Sequence, residues 1–293
     1  MTTTTEIEIE TPQQGVLKNW VSLGMLPNLT GLNVWDIGCG WGDFTSAFIA
    51  EGANHVIATD IALDYKHIPE SLFQHQRASF REGDTEKLCP LVFDGQFGSV
   101  PNILFMHLMT EHVDDLKSFI KAIRSNISAD CILLIRHDNY YQPVGHHDHS
   151  FLFLDPVTYT VQPQTISCWT KPERCAAYIL NRKNLPNWQW SVDSEETVGH
   201  DCDQCNYKLR SQPWAHLLYQ NEFNKIWPEP FFKNSLNKIT IFQIRQFLME
   251  AGFGISNEQR SWISNEIPAD LICNFSKHDL QTFAYTLFAK VLK

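Results

Sequence analysis

Hydrophobic residues along this chain follow two alternating periods. Short apolar, β-branched runs read as buried strands: 32–37, 55–60 (HVIATD), a stretch near 79–82, 102–108 (NILFMHL) and 131–136 (CILLIR). Between them the spacing turns helical. Phe44, Ala47 and Phe48 follow Asp43, with Gly52 closing the segment, and Leu116, Phe119, Ile120 and Ile123 sit at i, i+3, i+4 and i+7. In that second segment acids come first (Asp114, Asp115) and bases later (Lys117, Lys121, Arg124), the order a helix dipole prefers. Further helices are expected over 15–24 and 64–77. Strands alternating with helices predict an α/β fold with a mostly parallel sheet.

The alternation stops for about a hundred residues after 139, a stretch that holds five of the nine tryptophans (Trp169, Trp188, Trp190, Trp214, Trp227) and no clean period. It resumes at 240, where Ile241, Ile244, Phe247 and Leu248 make a helical stripe that Gly252 ends, with Thr240 and Gln243 spaced as a capping box. A strand near 255–262, a helix near 267–276 and a last strand near 283–291 follow. The expected organisation is a first part of the sheet domain over 1–139, an insertion over 140–238 serving as a lid, and the rest of the sheet domain over 239–293.

Composition narrows the function. The 293 residues carry 33 acidic against 23 basic side chains, a formal charge of −10, so long-range electrostatics oppose a polyanionic partner such as nucleic acid. No run approaches the roughly 18 apolar residues of a membrane span. With no basic, apolar leader at the start, the expectation is a cytoplasmic chain whose eight cysteines stay reduced. Its oligomeric state is left open.

The first strand runs directly into VWDIGCGWG, residues 34–42. In an open α/β sheet, ligands bind beyond the carboxyl ends of the strands, and a glycine turn there lets backbone approach the ligand at the start of the next helix. Gly38, Gly40 and Gly42 make G-x-G-x-G. The dinucleotide fingerprint is G-x-G-x-x-G, and Asp43 stands at its last glycine, which disfavours a nicotinamide enzyme. Acids surround the turn: Asp36 two residues before Gly38, Asp60 ending the second strand, and Asp84 in Gly83-Asp84-Thr85 after the third.

These residues resemble the class I S-adenosylmethionine-dependent methyltransferases, especially the small-molecule branch. WDIGCGWG is similar to their first motif, which implies that Asp36, Gly38 and Gly40 surround the methionine part of the cofactor. Asp60 matches the acid that holds both ribose hydroxyls, and GDTEKL (83–88) resembles the loop whose acid, here Asp84, meets the adenine amino group. Ile61, Thr85 and His107 are placed beside the cofactor by the same resemblance. LMTEHVDDL (108–116) resembles the segment after the fourth strand, and LMEAGF (248–253) their late helix end. The resemblance covers about 32–138 and 238–292. It implies a Rossmann-like doubly wound sheet of seven strands, mostly parallel with an antiparallel last strand, a large insertion after strand 5, and methylation of a small metabolite or natural product at O, N or C. An RNA or protein methyltransferase, or a cofactor-binding relative without catalysis, is the alternative.

The chemistry of the acceptor points to GHHDHS, which follows the fifth strand. Methyl transfer from a sulfonium requires the nucleophile to shed a proton, and an imidazole among His146, His147 and His149, or His112 with Glu111, suits that near neutral pH. A second reading places a divalent metal on His112, His146, His149 and Glu111, orienting an oxygen-bearing acceptor. Some members of the family carry such a metal on an E-x-x-E-H segment; here Leu108 stands where the first glutamate would be. A third makes the histidines a solvated polar loop. Cys202 and Cys205 form a single C-x-x-C, half of a structural zinc site, whose other half would have to come from Cys168 and Cys175. Two reduced thiols are the simpler expectation.

Overall fold

The computed structural model describes residues 10–63, 65–142, 214, 217, 237–262 and 266–292. The chain divides into two compact units: Met1–Asp138 with Phe242–Arg260 and Tyr285–Lys293, and Asn139–Ile241 with Ser261–Ala284.

The first unit carries the sheet. The strands are β1 (Asn33–Ile37), β2 (His55–Asp60), β3 (Ala78–Glu82), β4 (Ile103–His107), β5 (Ile132–Asp138), β6 (Phe253–Trp262) and β7 (Thr282–Val291), ordered β3-β2-β1-β4-β5-β7-β6, with residues 261–262 and 282–284 assigned to the second unit. The five strands β1 to β5 pair in parallel. At the β7 edge the direction reverses. Arg136 reaches Thr286 while Asn139 donates to the Phe283 carbonyl, and the Leu292 N–H meets the Gly252 carbonyl while the Ser256 hydroxyl meets that of Phe288. On both sides of β7 one number rises as the other falls, so β7 runs antiparallel to its neighbours. This is the doubly wound, seven-stranded sheet expected from the sequence.

Helices pack on it where the apolar spacing puts them. Helix α1 (Pro12–Ser22) starts three residues before the apolar pattern, because Thr11 and Gln14 form a reciprocal capping box and Pro12 takes the first helical position. Leu17 and Trp20 of α1 join Val34, Val56, Phe105 and Phe288 from four strands, and Phe48 of α2 (Asp43–Ala50), in one buried cluster. Helix α5 (Leu116–Asn126) buries the Leu116, Phe119, Ile120 and Ile123 stripe.

Three segments depart from the sequence reading. The helix expected over 64–77 shrinks to α3 (Glu70–Phe73). Pro69 lacks an N–H and pushes Ile68 toward extended backbone, so a helix cannot run through that pair. The loop expected over 83–88 opens α4 (Thr85–Phe93), with the Asp84 carboxylate accepting the Glu86 N–H at 2.9 Å as its N-cap. The helix expected over 267–276 shortens to α7 (Ala269–Ile272) in the second unit, and a separate α8 (Lys277–Leu280) starts just beyond that range, capped by Ser276. Before them in the chain comes α6 (Ile241–Glu250).

The second unit has its own small core. Trp214 is fully buried with Leu271 and Leu280, and its indole N–H is shared by the Tyr141 and Leu280 carbonyls at 3.1 and 3.2 Å. The Asn139 amide donates to the Asp279 and Thr282 carbonyls at 2.6 and 2.7 Å. Of the five tryptophans in the stretch after 139, Trp214 is buried in this core, and Trp169, Trp188, Trp190 and Trp227 lie outside the described residues.

Candidate cofactor site

The site is built where β1 stops. The Gly38 and Cys39 N–H groups both donate to the Thr59 carbonyl on β2, at 2.7 and 3.0 Å, which folds the chain back over the carboxyl end of the neighbouring strand. Gly38, Gly40 and Gly42 hold φ of +73°, +52° and +83°, a left-handed region costly for any residue with a Cβ. Two of them also differ in what a side chain would meet. A Cβ on Gly38 would lie 2.6 Å from the Met109 Cβ, whereas one on Gly40 would meet no atom within 4 Å. The turn is thus packed from below at Gly38 and open at Gly40.

Asp60 holds the turn in place. One carboxylate oxygen accepts the Gly40 N–H at 3.0 Å and the other the Ala62 N–H at 3.1 Å. Beside it Ile61 is 79% exposed, and Trp41 is 57% exposed, its ring stacked on His67 with centroids 5.1 Å apart. Asp36 is different, being only 2% exposed. Its carboxylate accepts the Thr45 hydroxyl at 2.6 Å, across the first turn of α2. Burial, opposed by Thr45 and assisted by the carboxylates of Asp60 and Asp43, raises this acid to about 7.

His107 ends β4 with its ring against Phe44 (centroids 4.5 Å apart) and over Phe105 (5.9 Å). Burial, with the Arg136 charge behind it, lowers its pKa to about 4, so the ring is neutral at physiological pH. Next, Leu108 adopts φ +53°, rare for an apolar residue, while its N–H donates to the Arg136 carbonyl at 2.8 Å. A 3-10 turn (Thr110–His112) then splits the candidate pair: Glu111 is fully buried and His112 is exposed. The Glu111 carboxylate lies 3.9 Å from Nδ1 of His137 on β5, and the Thr110 hydroxyl lies 3.0 Å from that same nitrogen.

The strand order therefore brings Asp36, Gly38, Gly40, Asp60, Ile61 and His107 to adjacent carboxyl ends of β1, β2 and β4, with Asp84 and Thr85 following β3. Glu111, beside His137, is buried and His112 is exposed. His146, His147, His149, Cys168, Cys175, Cys202 and Cys205 lie outside the described residues, and among the described residues no group of three metal-ligating side chains is assembled. Thr45 and His137 were missed by the sequence reading. The strand run CILLIR continues through His137 to Asp138, and extending the apolar and polar alternation by two residues would have placed this histidine at the strand end.

Residues 35–135, from β1 to β5, match the family model described as a methyltransferase domain. The stretch from β1 to β5 is thus similar to a methyltransferase domain. Among solved structures, this chain is similar to an S-adenosylmethionine-dependent methyltransferase from Mesorhizobium loti (15% identity, 93% of this chain and 97% of that one, TM-score 0.48). It is also similar to magnesium protoporphyrin IX methyltransferase from Synechocystis with bound S-adenosylhomocysteine (15% identity, 96% and 83%, TM-score 0.46). A third is a 1,6-didemethyltoxoflavin-N1-methyltransferase from Burkholderia thailandensis (12% identity, 96% and 77%, TM-score 0.45). No curated protein matches this sequence.

Proposed function

We propose that the glycine turn and Asp60 bind S-adenosylmethionine and that the chain methylates a small-molecule acceptor. The observation that carries this reading is the turn itself: three left-handed glycines, open at Gly40 and clamped by an acid at the end of the next strand. The residues fit the cofactor. Each Asp60 oxygen accepts one backbone N–H and keeps a lone pair for a ribose hydroxyl. Ile61 offers an exposed apolar platform for a base, with Asp84 and Thr85 at the adenine side. Gly38, Gly40, Asp36 and His107 take the methionine side, where the neutral His107 adds no positive charge against a sulfonium.

When bound, S-adenosylmethionine supplies a methyl group on a sulfonium sulfur; the acceptor's lone pair forms the new bond as the carbon–sulfur pair returns to sulfur. The chain contributes orientation and the exclusion of water. The segment 140–238 is the proposed acceptor-binding part, and an imidazole among His146, His147 and His149 is the proposed base for the acceptor's proton. Metal assistance through Glu111 and His112 is the less favoured route, because Glu111 is buried against His137 while His112 is exposed. The net charge of −10 favours a neutral or cationic acceptor over a polyanion.

Calorimetric titration with S-adenosylhomocysteine tests the pocket. Asp60→Ala removes an acceptor of two backbone and two ribose hydrogen bonds and is expected to weaken binding about tenfold or more. Unchanged affinity would remove Asp60 from the site.

A further inference from the structure

The Asp36 carboxyl is buried beneath the turn, and its surroundings are unusual in their charge. From α2 the Thr45 hydroxyl meets it at 2.6 Å and the Thr45 N–H adds a backbone hydrogen bond, with Asp43 at the start of that helix. From the turn comes the Cys39 thiol, itself pushed up by burial and by Asp36 and Asp60. From β2 the nearest strand partner is Ala58, with Asp60 at the strand end, and from β4 it is Phe105. Among the described residues, the charged groups that act on Asp36 are thus acids, and its partners in the sheet are apolar. An acid in such a place is ionised at a cost that a nearby cation would offset.

We propose that the buried Asp36–Thr45 pair makes the pocket select its ligand by charge, favouring the sulfonium cofactor over the thioether left when the methyl group departs. The proposal rests on the cofactor reading above and adds a mechanism to it. The cofactor and its demethylated product share the same ribose, base, ammonium and carboxylate, and differ by one methyl group and one positive charge. Contacts at Asp60, Ile61 and Asp84 therefore cannot separate them strongly. A carboxylate in a low-dielectric setting can, because its attraction for the extra charge acts only on the cofactor. Thr45 is a positioning residue: its hydroxyl stabilises the ionised form and fixes the carboxylate's direction. After each turnover the attraction lapses, which favours release of product.

A sign follows. With Asp36 near 7, a fall in pH protonates the acid and abolishes the attraction, so the preference for the cofactor is present above that region and lost below it. The ratio of dissociation constants, product over cofactor, is the quantity to read, since the ammonium shared by both ligands cancels.

The experiment is calorimetric titration of the full chain with S-adenosylmethionine and with S-adenosylhomocysteine at pH 5.5 and pH 7.5, for wild type, Asp36→Asn, Thr45→Ser and Thr45→Val. The ratio is expected to rise roughly three- to tenfold between the two pH values in wild type and in Thr45→Ser. It should stay flat and low in Asp36→Asn, and Thr45→Val should move the rise to higher pH. A ratio that is the same at both pH values, with Asp36→Asn matching wild type, overturns the charge selection while leaving the cofactor site standing. Failure of folded wild-type protein to bind either ligand overturns the cofactor reading beneath it.

Discussion

Replacing Gly38 and Gly40 separately by alanine should divide stability from binding. Both glycines are left-handed, so alanine costs about 1 kcal/mol of backbone strain at either position. At Gly38 the new Cβ adds a clash, 2.6 Å from a Met109 Cβ that is fixed to the backbone and cannot rotate away. Overpacking of this kind costs a further 1–3 kcal/mol or so, bringing Gly38→Ala to about 2–4 kcal/mol. For a domain with about 5–15 kcal/mol in all, that is a large fraction. At Gly40 the Cβ meets nothing, so the strain is the whole loss of stability, about 1 kcal/mol. The open side of Gly40 is also where a ligand would approach, so its alanine variant should bind S-adenosylhomocysteine at least about tenfold more weakly. Urea unfolding with a common slope gives the stabilities and calorimetry the affinities. Equal destabilisation of the two variants, or a Gly40→Ala protein with undiminished affinity, would refute the assignment of packed and open sides to the turn.

Other perturbations have definite signs. Asp36, raised in the folded state from 3.8 to about 7, binds protons more readily folded than unfolded, so its contribution is full in acid and lost as pH rises through 7. Asp36→Asn should therefore gain stability relative to wild type between pH 5 and pH 8, by about 1–3 kcal/mol; urea unfolding of the pair at each pH isolates this from His107, whose neutral ring acts in the opposite sense. His137→Ala should cost about 2–4 kcal/mol in the same assay, because it removes a buried ring that hydrogen-bonds the Thr110 hydroxyl and lies beside the Glu111 carboxylate. Thr11→Ala should lower the melting temperature modestly, reflecting about 1 kcal/mol from one lost N-cap.

The parts of this fold that were legible in the sequence are those set by local pattern. Five parallel strands announce themselves as short apolar runs, and G-x-G-x-G directly after the first of them marks the turn before any coordinate is consulted. The signal fails where one residue overrides a pattern, as Pro69 does by ending the helix expected over 64–77, or where a cap starts a helix in what looks like a loop, as at Asp84. It fails differently for pairs. Thr45 sits on a buried helical position that an apolar count passes over, and its worth depends on a carboxylate nine residues earlier in another element. His137 meets Thr110 across 27 residues of chain, and only the adjacency of β4 and β5 makes them neighbours. The same logic applies to Glu111 and His112: consecutive in sequence, the first is buried 3.9 Å from the His137 ring and the second is exposed.

The central claim is that the acid-clamped glycine turn holds one S-adenosyl nucleoside. Native mass spectrometry of the intact chain incubated with S-adenosylmethionine tests it most directly, with Asp60→Ala alongside. The account predicts one nucleoside per wild-type chain and a sharply reduced fraction in the variant. A folded wild-type chain that carries no nucleoside, or a variant that carries it equally well, would contradict the account.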